Sequence, residues 1–477
     1  MGLLRCLSFG PHRCLAVVIL CSVGLLCHLA PRLRSEAGED AANIARLVQC
    51  QGGDSRTSVF AHWLKGLGAH LSNVCIAATA DGARLTAVRA IMAGEKLLTV
   101  PRAAWLSRES ALRSEIADVL SDLFEGRMHL VLDELDVIVL HLMAERLKAA
   151  SSPFQPYLDL LPTTPSSLLQ WQAAELHSFR DDQLERDIAQ KRRQFAEDYR
   201  MIFDPLKAKY PGRFERYSEE LYLWSRTIVE TRVFGIQGVD PAHGESSDSA
   251  IAIPPQYIML PLADLLNHAP GPECVEGSLP QKATGFIANP TSNDDKGRQL
   301  SEAHGVEFVA ADQEIVMYAA RTFYAGEQAT FCYFPYSNRE LLENYGFALD
   351  GNPYDWAEVS GVRIPADPVA RADWMPLVSG LGNCTLPLPV DGGCCKQAIV
   401  LIEKVRALLD ADPVSLAEAG SLDGVRLSIA RTYRNARARV LDAFLGELYV
   451  QPCGQDQQEY SHAVHGAARG IYVASKK

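Results

Sequence analysis

The chain alternates between blocks of two hydrophobic periods. Phe60, Trp63, Leu64 and Leu67 recur at helical spacing and stop near Gly68, which predicts a short helix. "VCIAATADGARLTAVRAIMAGEKLLTVP" then alternates in short runs. It predicts strands that turn at Asp81–Gly82 and Ala93–Gly94 and close at Pro101. From about 110 to 235 the period lengthens, and "LDELDVIVLHLMAERLKAA" and "DDQLERDIAQKRRQFAEDYRMIF" predict two helices joined by a proline-rich connection, "PFQPYLDLLPTTPSSLLQW". A third helix is predicted through "FERYSEELYLWSRTIVETRVFG", where Phe214, Tyr217, Leu221, Trp224 and Ile228 share one face. Arg232 follows on that face. An inward arginine either meets an anionic partner or snorkels at a helix end, and spacing alone leaves both readings open.

Strand character returns over 251–262 and through "VEFVAADQEIVMYAARTFYAGEQATFCYF", with turns at Ala311–Asp312 and Ala325–Gly326. The intervening 270–305, rich in Pro, Gly, Ser and Asn, reads as a long surface loop. Beyond Pro353 two helical stretches follow, "KQAIVLIEKVRALLDA" and "LDGVRLSIARTYRNARARVLDAFLGELYV". Ile429, Tyr433, Ala436, Val440 and Phe444 form one apolar stripe in the second. The pattern predicts an α+β chain. An N-terminal segment covers 1–55, a β-rich domain with a helical insertion at about 110–250 covers 56–360, and an all-α domain covers 361–477.

Composition changes this picture in three places. A net charge of −12 over 477 residues disfavours a broad nucleic-acid surface. Four of the 12 cysteines fall in the first 27 residues, and the rest are scattered without metal-ligand spacing. No metal site and no disulfide framework is expected, and the body's cysteines read as free thiols. The apolar run 15–30 is flanked by Arg5 and Arg13 on one side and Arg32 and Arg34 on the other. At 16 residues it is shorter than a full span of ~20. It reads as a short transmembrane anchor or an organelle or secretory address, with a cytoplasmic chain as the alternative.

"IMLPLADLLNHAP" raises a chemical question, because it sets Asp264, Asn267 and His268 in a sequence apolar enough for a core. Three further stretches bear on it: "RAIMAGEKLLTVPRAAWLSRES", "SRTIVETRVF" and "YAGEQATFCYFPYSNRELLENYGFALDGNPYD". In this order and spacing, the four resemble the SET-domain protein methyltransferases of the Rubisco large-subunit methyltransferase type, from about Ser58 to Asp355. The resemblance implies a SET-domain β-fold with a helical insertion, a helical substrate-binding domain after it, and S-adenosylmethionine as cofactor. It implies that Asn267 and His268 hold the cofactor beside a knot-like crossing, with Asp264 the acidic residue before them. It places Arg232 on the cofactor's carboxylate, Glu109 on its hydroxyls, Tyr333 at the catalytic centre and Tyr345 on the channel wall.

The activity implied is methyl transfer to a lysine of a non-histone protein, docked by the C-terminal helices on a monomeric enzyme, with histidine as the alternative acceptor. Two positions depart from the family pattern. Arg84 and Phe334 stand where glycines are usual, and glycine there normally serves positive φ or close approach. Bulk at either position motivates a second class of reading, an inactive SET-fold binding module.

Overall fold

The computed structural model describes residues 55–236, 256–270, 286–287, 306–367, 392–410 and 424–450, apart from 72, 80–81, 128–129, 131, 312–313, 320 and 360–361. Helix α1 (Ser55–Gly66) leads into the hairpin β1 (Val74–Thr79) and β2 (Gly82–Ala87), then β3 (Lys96–Pro101) and the short β4 (Leu106–Ser107). The helical insertion carries α2 (Glu134–Lys148), α3 (Gln155–Leu158), α4 (Asp182–Lys209) and α5 (Glu219–Arg232). The chain returns to strands at β5 (Val233–Ile236), β6 (Gln256–Met259), β7 (Asn267–His268), β8 (Val306–Ala311), β9 (Glu314–Ala319) and β10 (Thr330–Phe331). It ends in α6 (Asn338–Tyr345), the hairpin β11 (Trp356–Val359) and β12 (Val362–Pro365), α7 (Gly392–Asp410) and α8 (Gly424–Val450). The apolar run at 15–30 lies outside the described residues. Among the described residues no helix is long and apolar enough to cross a membrane.

The sheets are small and mostly antiparallel. Strand β3 pairs with His70–Leu71 on one side and β9 on the other, and β9 pairs with β8. The run "EIVMYA" of β9 is apolar almost throughout because a central strand buries both faces. A second sheet orders β4, β6 and β5, with Phe286–Ile287 parallel to β5 inside the region expected to be loop. The strand expected over 251–262 is described only at Gln256–Met259, and Leu262 beyond it takes φ +85° and ψ −48°. The helix expected from Phe214 begins at Glu219, because the Ser218 side chain accepts from the Leu221 N–H and caps it. Its last residue is Arg232, where the chain turns directly into β5.

One large core joins the sheets to the insertion, and a second forms around β11, β12, α7 and the C-terminal half of α8. Helix α8 serves both: Ala430 and Tyr433 pack into the first, Val440, Leu441 and Phe444 into the second. Asp181 pins the junction. It caps α4 through the Leu184 N–H and accepts from the Tyr433 hydroxyl at 2.7 Å, Arg437 at 3.1 Å and Arg339 of α6 at 3.4 Å. Burial opposes its charge, but Arg437, the Leu184 N–H and Tyr433 outweigh that and hold the carboxyl below its usual range.

His141 on α2 makes the core acid-sensitive. Burial alone would keep it neutral, and both ring nitrogens lack a hydrogen-bond partner among the described residues. Its pKa falls to about 4, chiefly from desolvation. The unfolded chain, with histidine near 6.5, therefore binds a proton that the native state refuses, and stability falls as pH drops from about 7 toward 4, by up to about 3 kcal/mol for this group. His268, also depressed to about 4 by burial, acts in the same sense. Denaturant midpoints at pH 7 and pH 5 should therefore converge in His141→Leu relative to the unmodified chain. An unchanged pH slope would show that His141 is not a source of acid sensitivity.

Candidate active site

The site lies where α5 ends and the two parallel strands β7 and β10 pair, Asn267 opposite Thr330 and His268 opposite Phe331. Parallel pairing of two-residue strands from distant parts of the chain is expensive to close. Here it sets the segment 264–268 directly beside 330–333. The Ala269 N–H donates to the Phe331 carbonyl and extends the pairing by one residue. The positive φ of Leu262 turns the chain just before Asp264. A buried leucine in that region costs on the order of 1–3 kcal/mol, a price found where surrounding structure must aim a functional group.

Tyr333 follows β10, and its hydroxyl donates to the Leu266 carbonyl at 2.9 Å. Its own N–H donates to His268 Nδ1 at 3.0 Å. His268 Nδ1 is thus an acceptor, and the neutral ring carries its proton on Nε2. The tyrosine is fixed at both ends, backbone by His268 and phenol by Leu266. Burial pushes the phenol far above its ordinary pKa, with Arg232 opposing and Asp264 adding to the shift, so the group stays neutral. Its ring stands 4.8 Å from that of Phe331 and 4.9 Å from that of Tyr345.

Arg232 donates through Nη1 to Asp264 Oδ2 at 3.0 Å and to the Asp264 carbonyl at 3.2 Å. The inward arginine therefore has an anionic partner. Tyr157 of α3 donates its hydroxyl to the same Oδ2 at 2.7 Å. Burial pushes the Asp264 carboxyl up, opposed by Arg232, Tyr157 and the Leu262 N–H. Oδ1 is buried and meets no donor in hydrogen-bonding geometry among the described residues.

Arg232, Asp264, Tyr333 and Tyr345 line one small, half-open cavity with Thr231, Val233, Phe234, Leu266 and Phe331. The sequence reading did not single out Tyr157, Phe234 or Phe331. Phe234 could have been found as the aromatic closing "TRVF", whereas the Tyr157–Asp264 bond spans 107 positions and has no sequence signature. His268 stands behind Tyr333 as a clamp on its backbone, and Asn267 is exposed. Glu109 is placed apart. It is held by Arg102 and Arg113 and lines a second, more open cavity with Arg102, Ala103 and Arg113.

The two departures from the family pattern leave the first cavity clear. Arg84 lies on β2 with its side chain exposed, as strand alternation requires once Leu85 is buried. Phe334 packs on Tyr336, ring centres 5.0 Å apart, and is not in the cavity wall. The free-thiol reading needs correction, since Cys75 of β1 and Cys332, next to Tyr333, are both disulfide-bonded. The segment 326–329 lies against β2 through the Thr86–Gln328 bridge and the Ala329-to-Leu85 hydrogen bond, a proximity that spacing along the chain does not announce.

With this geometry established, comparison with solved structures decides the fold. The crystal structure of the SET domain of LSMT bound to methyllysine and AdoHcy superposes with a TM-score of 0.52 at 19% identity, over 85% of this chain and 94% of that one. The chain carries a SET-domain fold. The fold expected from the four motifs is thus the fold observed, helical insertion and C-terminal helices included. No family model matches the chain. Among curated proteins, it is 26% identical to Protein SET DOMAIN GROUP 40 of Arabidopsis thaliana over 362 residues, 73% of this chain and 66% of that protein. It is 27% identical to the ribosomal lysine N-methyltransferase set10 of Schizosaccharomyces pombe over 45% of this chain and 31% of that one. It is 25% identical to the human actin-histidine N-methyltransferase over 58% of this chain and 40% of that one. The chain thus spans less than two thirds of the length of these relatives.

Proposed function

We propose that this SET-domain chain transfers a methyl group from S-adenosylmethionine to a side-chain nitrogen of a protein, and that the acceptor is a lysine amine of a non-histone protein. The observation that carries the reading is the neutral phenol of Tyr333, fixed by the Leu266 carbonyl inside an aromatic cavity that also holds the Arg232–Asp264 pair. The donor set suits the cofactor's amino-acid end. A guanidinium complements its carboxylate, and the buried Asp264 Oδ1, which meets no donor in hydrogen-bonding geometry among the described residues, complements an ammonium. When bound, S-adenosylmethionine supplies a sulfonium methyl open to in-line attack.

The chain's own residues supply placement. The phenol donates to Leu266, so its oxygen lone pairs remain available to orient an incoming N–H. Phe234, Phe331, Tyr333 and Tyr345 exclude water and disfavour a protonated amine, whose unperturbed pKa is ~10.4. Alignment and fixed dipoles, rather than a strong base, carry the rate.

The wall favours lysine over histidine as acceptor. An imidazole must also pair its second ring nitrogen. The Thr231 hydroxyl is bonded to Thr227 and Ile228, the Tyr333 hydroxyl to Leu266, and Arg232 to Asp264. With the Tyr333 lone pairs assigned to the reacting nitrogen, Asp264 Oδ1 is the wall acceptor that meets no donor among the described residues. An alkyl amine needs one acceptor and apolar walls. Helices α7 and α8 would dock the protein that presents the residue.

The test pairs calorimetric titration of the full chain with S-adenosylmethionine and labelled-methyl transfer into a lysate, followed by identification of the labelled residue. Heat and methyllysine are expected. Methylhistidine would move the acceptor. Absence of both heat and label from folded protein would establish the inactive binding module instead.

A further inference from the structure

The proline-rich connection "PFQPYLDLLP" reaches the site at one atom. Tyr157 is 1% exposed, and its hydroxyl lies 2.7 Å from Asp264 Oδ2, the oxygen that also receives Arg232 Nη1. Two donors on one carboxylate oxygen fix its plane. Asp264 is the middle residue of the turn Ala263–Leu265, which is followed directly by Leu266, and the Leu266 carbonyl holds the Tyr333 hydroxyl. A continuous path therefore runs from the helical insertion, through one buried carboxylate, to the phenol in the cavity.

We propose that Tyr157 is a positioning residue for methyl transfer: its hydroxyl fixes the orientation of the Asp264 carboxyl group and so sets the segment 264–266 that holds Tyr333. The inference rests on the methyltransferase reading of this same cavity. Its chemistry is specific to the hydroxyl. The Tyr157 ring packs on Phe60 at 6.2 Å between centres, and this contact is independent of the oxygen. The charged or titratable groups that face Asp264 are Arg232 of α5, Tyr157 of α3 and Tyr333 after β10. Of these, Arg232 and Tyr157 favour the carboxylate over the acid. Removal of the Tyr157 donor leaves Arg232, among the described residues, as the side chain opposing the effect of burial, and Asp264 then takes up a proton at higher pH.

The experiment compares the full chain with Tyr157→Phe, which keeps the ring. Methyl transfer should fall about tenfold or more in kcat with little change in KM for the methyl donor, since misplacement rather than lost binding is the defect. The acid limb of the kcat–pH profile should move to higher pH. A purely structural role would lower the unfolding midpoint and the amount of active protein but leave the profile in place. Infrared difference titration of the carboxyl band, assigned with Asp264→Asn, reads the same displacement without any turnover. A carboxyl titration that moves up in Tyr157→Phe supports the positioning role even if the parent chain transfers no methyl group, an outcome that would sink only the methyltransferase reading. An unmoved carboxyl band, or an unmoved kcat profile in an active chain, overturns the proposal.

Discussion

Tyr333→Phe will reduce methyl transfer by about 10²-fold or more while leaving the chain folded and able to bind S-adenosylmethionine. The ring's neighbours are unaffected by the change: Phe331, Tyr345 and His268 stand at 4.8, 4.9 and 5.2 Å between centres. The lost group is one hydroxyl, and the partner left behind is the Leu266 carbonyl, so the stability cost is about 1–2 kcal/mol. The kinetic cost is larger because the phenol oxygen is the fixed polar group beside the apolar wall where an amine would enter. The check is the initial rate of labelled-methyl transfer, alongside calorimetric donor affinity and an unfolding midpoint. A rate within about threefold of the parent, with both controls normal, would remove the phenol from the mechanism. The phenol's upward displacement adds a second expectation. No ionisation of Tyr333 should show in the rate near pH 10, because the phenolate is disfavoured by burial.

What the sequence disclosed about this site follows from the range of each interaction. Helix starts are local, and the capping side chains at Asp133, Asp181, Ser218 and Ser337 stand one residue before the helices they begin. Arg232 was visible as an inward cation because four-residue spacing puts it on the face of Ile228, and its partner Asp264 was visible as a polar residue in an apolar run. That they meet was not visible, since it depends on the turn at Leu262, a residue type that rarely adopts positive φ. A contact of His268 was hidden for a related reason. Motif matching assigns a residue to a ligand, whereas the parallel pairing of β7 with β10 turns its Nδ1 toward the Tyr333 N–H. Bulk at Arg84 and Phe334 threatened the cavity on paper. Strand alternation turns Arg84 outward and packing on Tyr336 holds Phe334 out of the wall, and the structure is needed to reveal either.

Gly346 carries the largest expected stability effect. It terminates α6 at φ +77°, where its N–H closes the helix on the Leu341 and Leu342 carbonyls. Positive φ alone disfavours alanine by about 1–2 kcal/mol. Here a Cβ would also collide with the carbonyl carbon and oxygen of Ser166, backbone atoms of the insertion that cannot rotate aside. Gly346→Ala should therefore lose roughly 4 kcal/mol in denaturant unfolding, among the larger single-residue effects. Gly94, at φ +81° with nothing near its Cβ position, is the internal control, and Gly94→Ala should lose only about 1 kcal/mol. Asparagine separates the two causes, because it tolerates positive φ but brings the same Cβ. Asparagine at 346 should be about as damaging as alanine, whereas at 94 it should restore most of the loss. The consequence reaches the cavity, since Tyr345 is the neighbouring residue and its ring is 4.9 Å from Tyr333. Any 346 variant that still folds must shift α6 from Ser166, and it should lose methyl transfer more steeply than stability. If Gly346→Ala unfolds at the parent midpoint, the contact between α6 and the insertion is not as close as the structure places it, and Tyr345 would lose its fixed position in the wall.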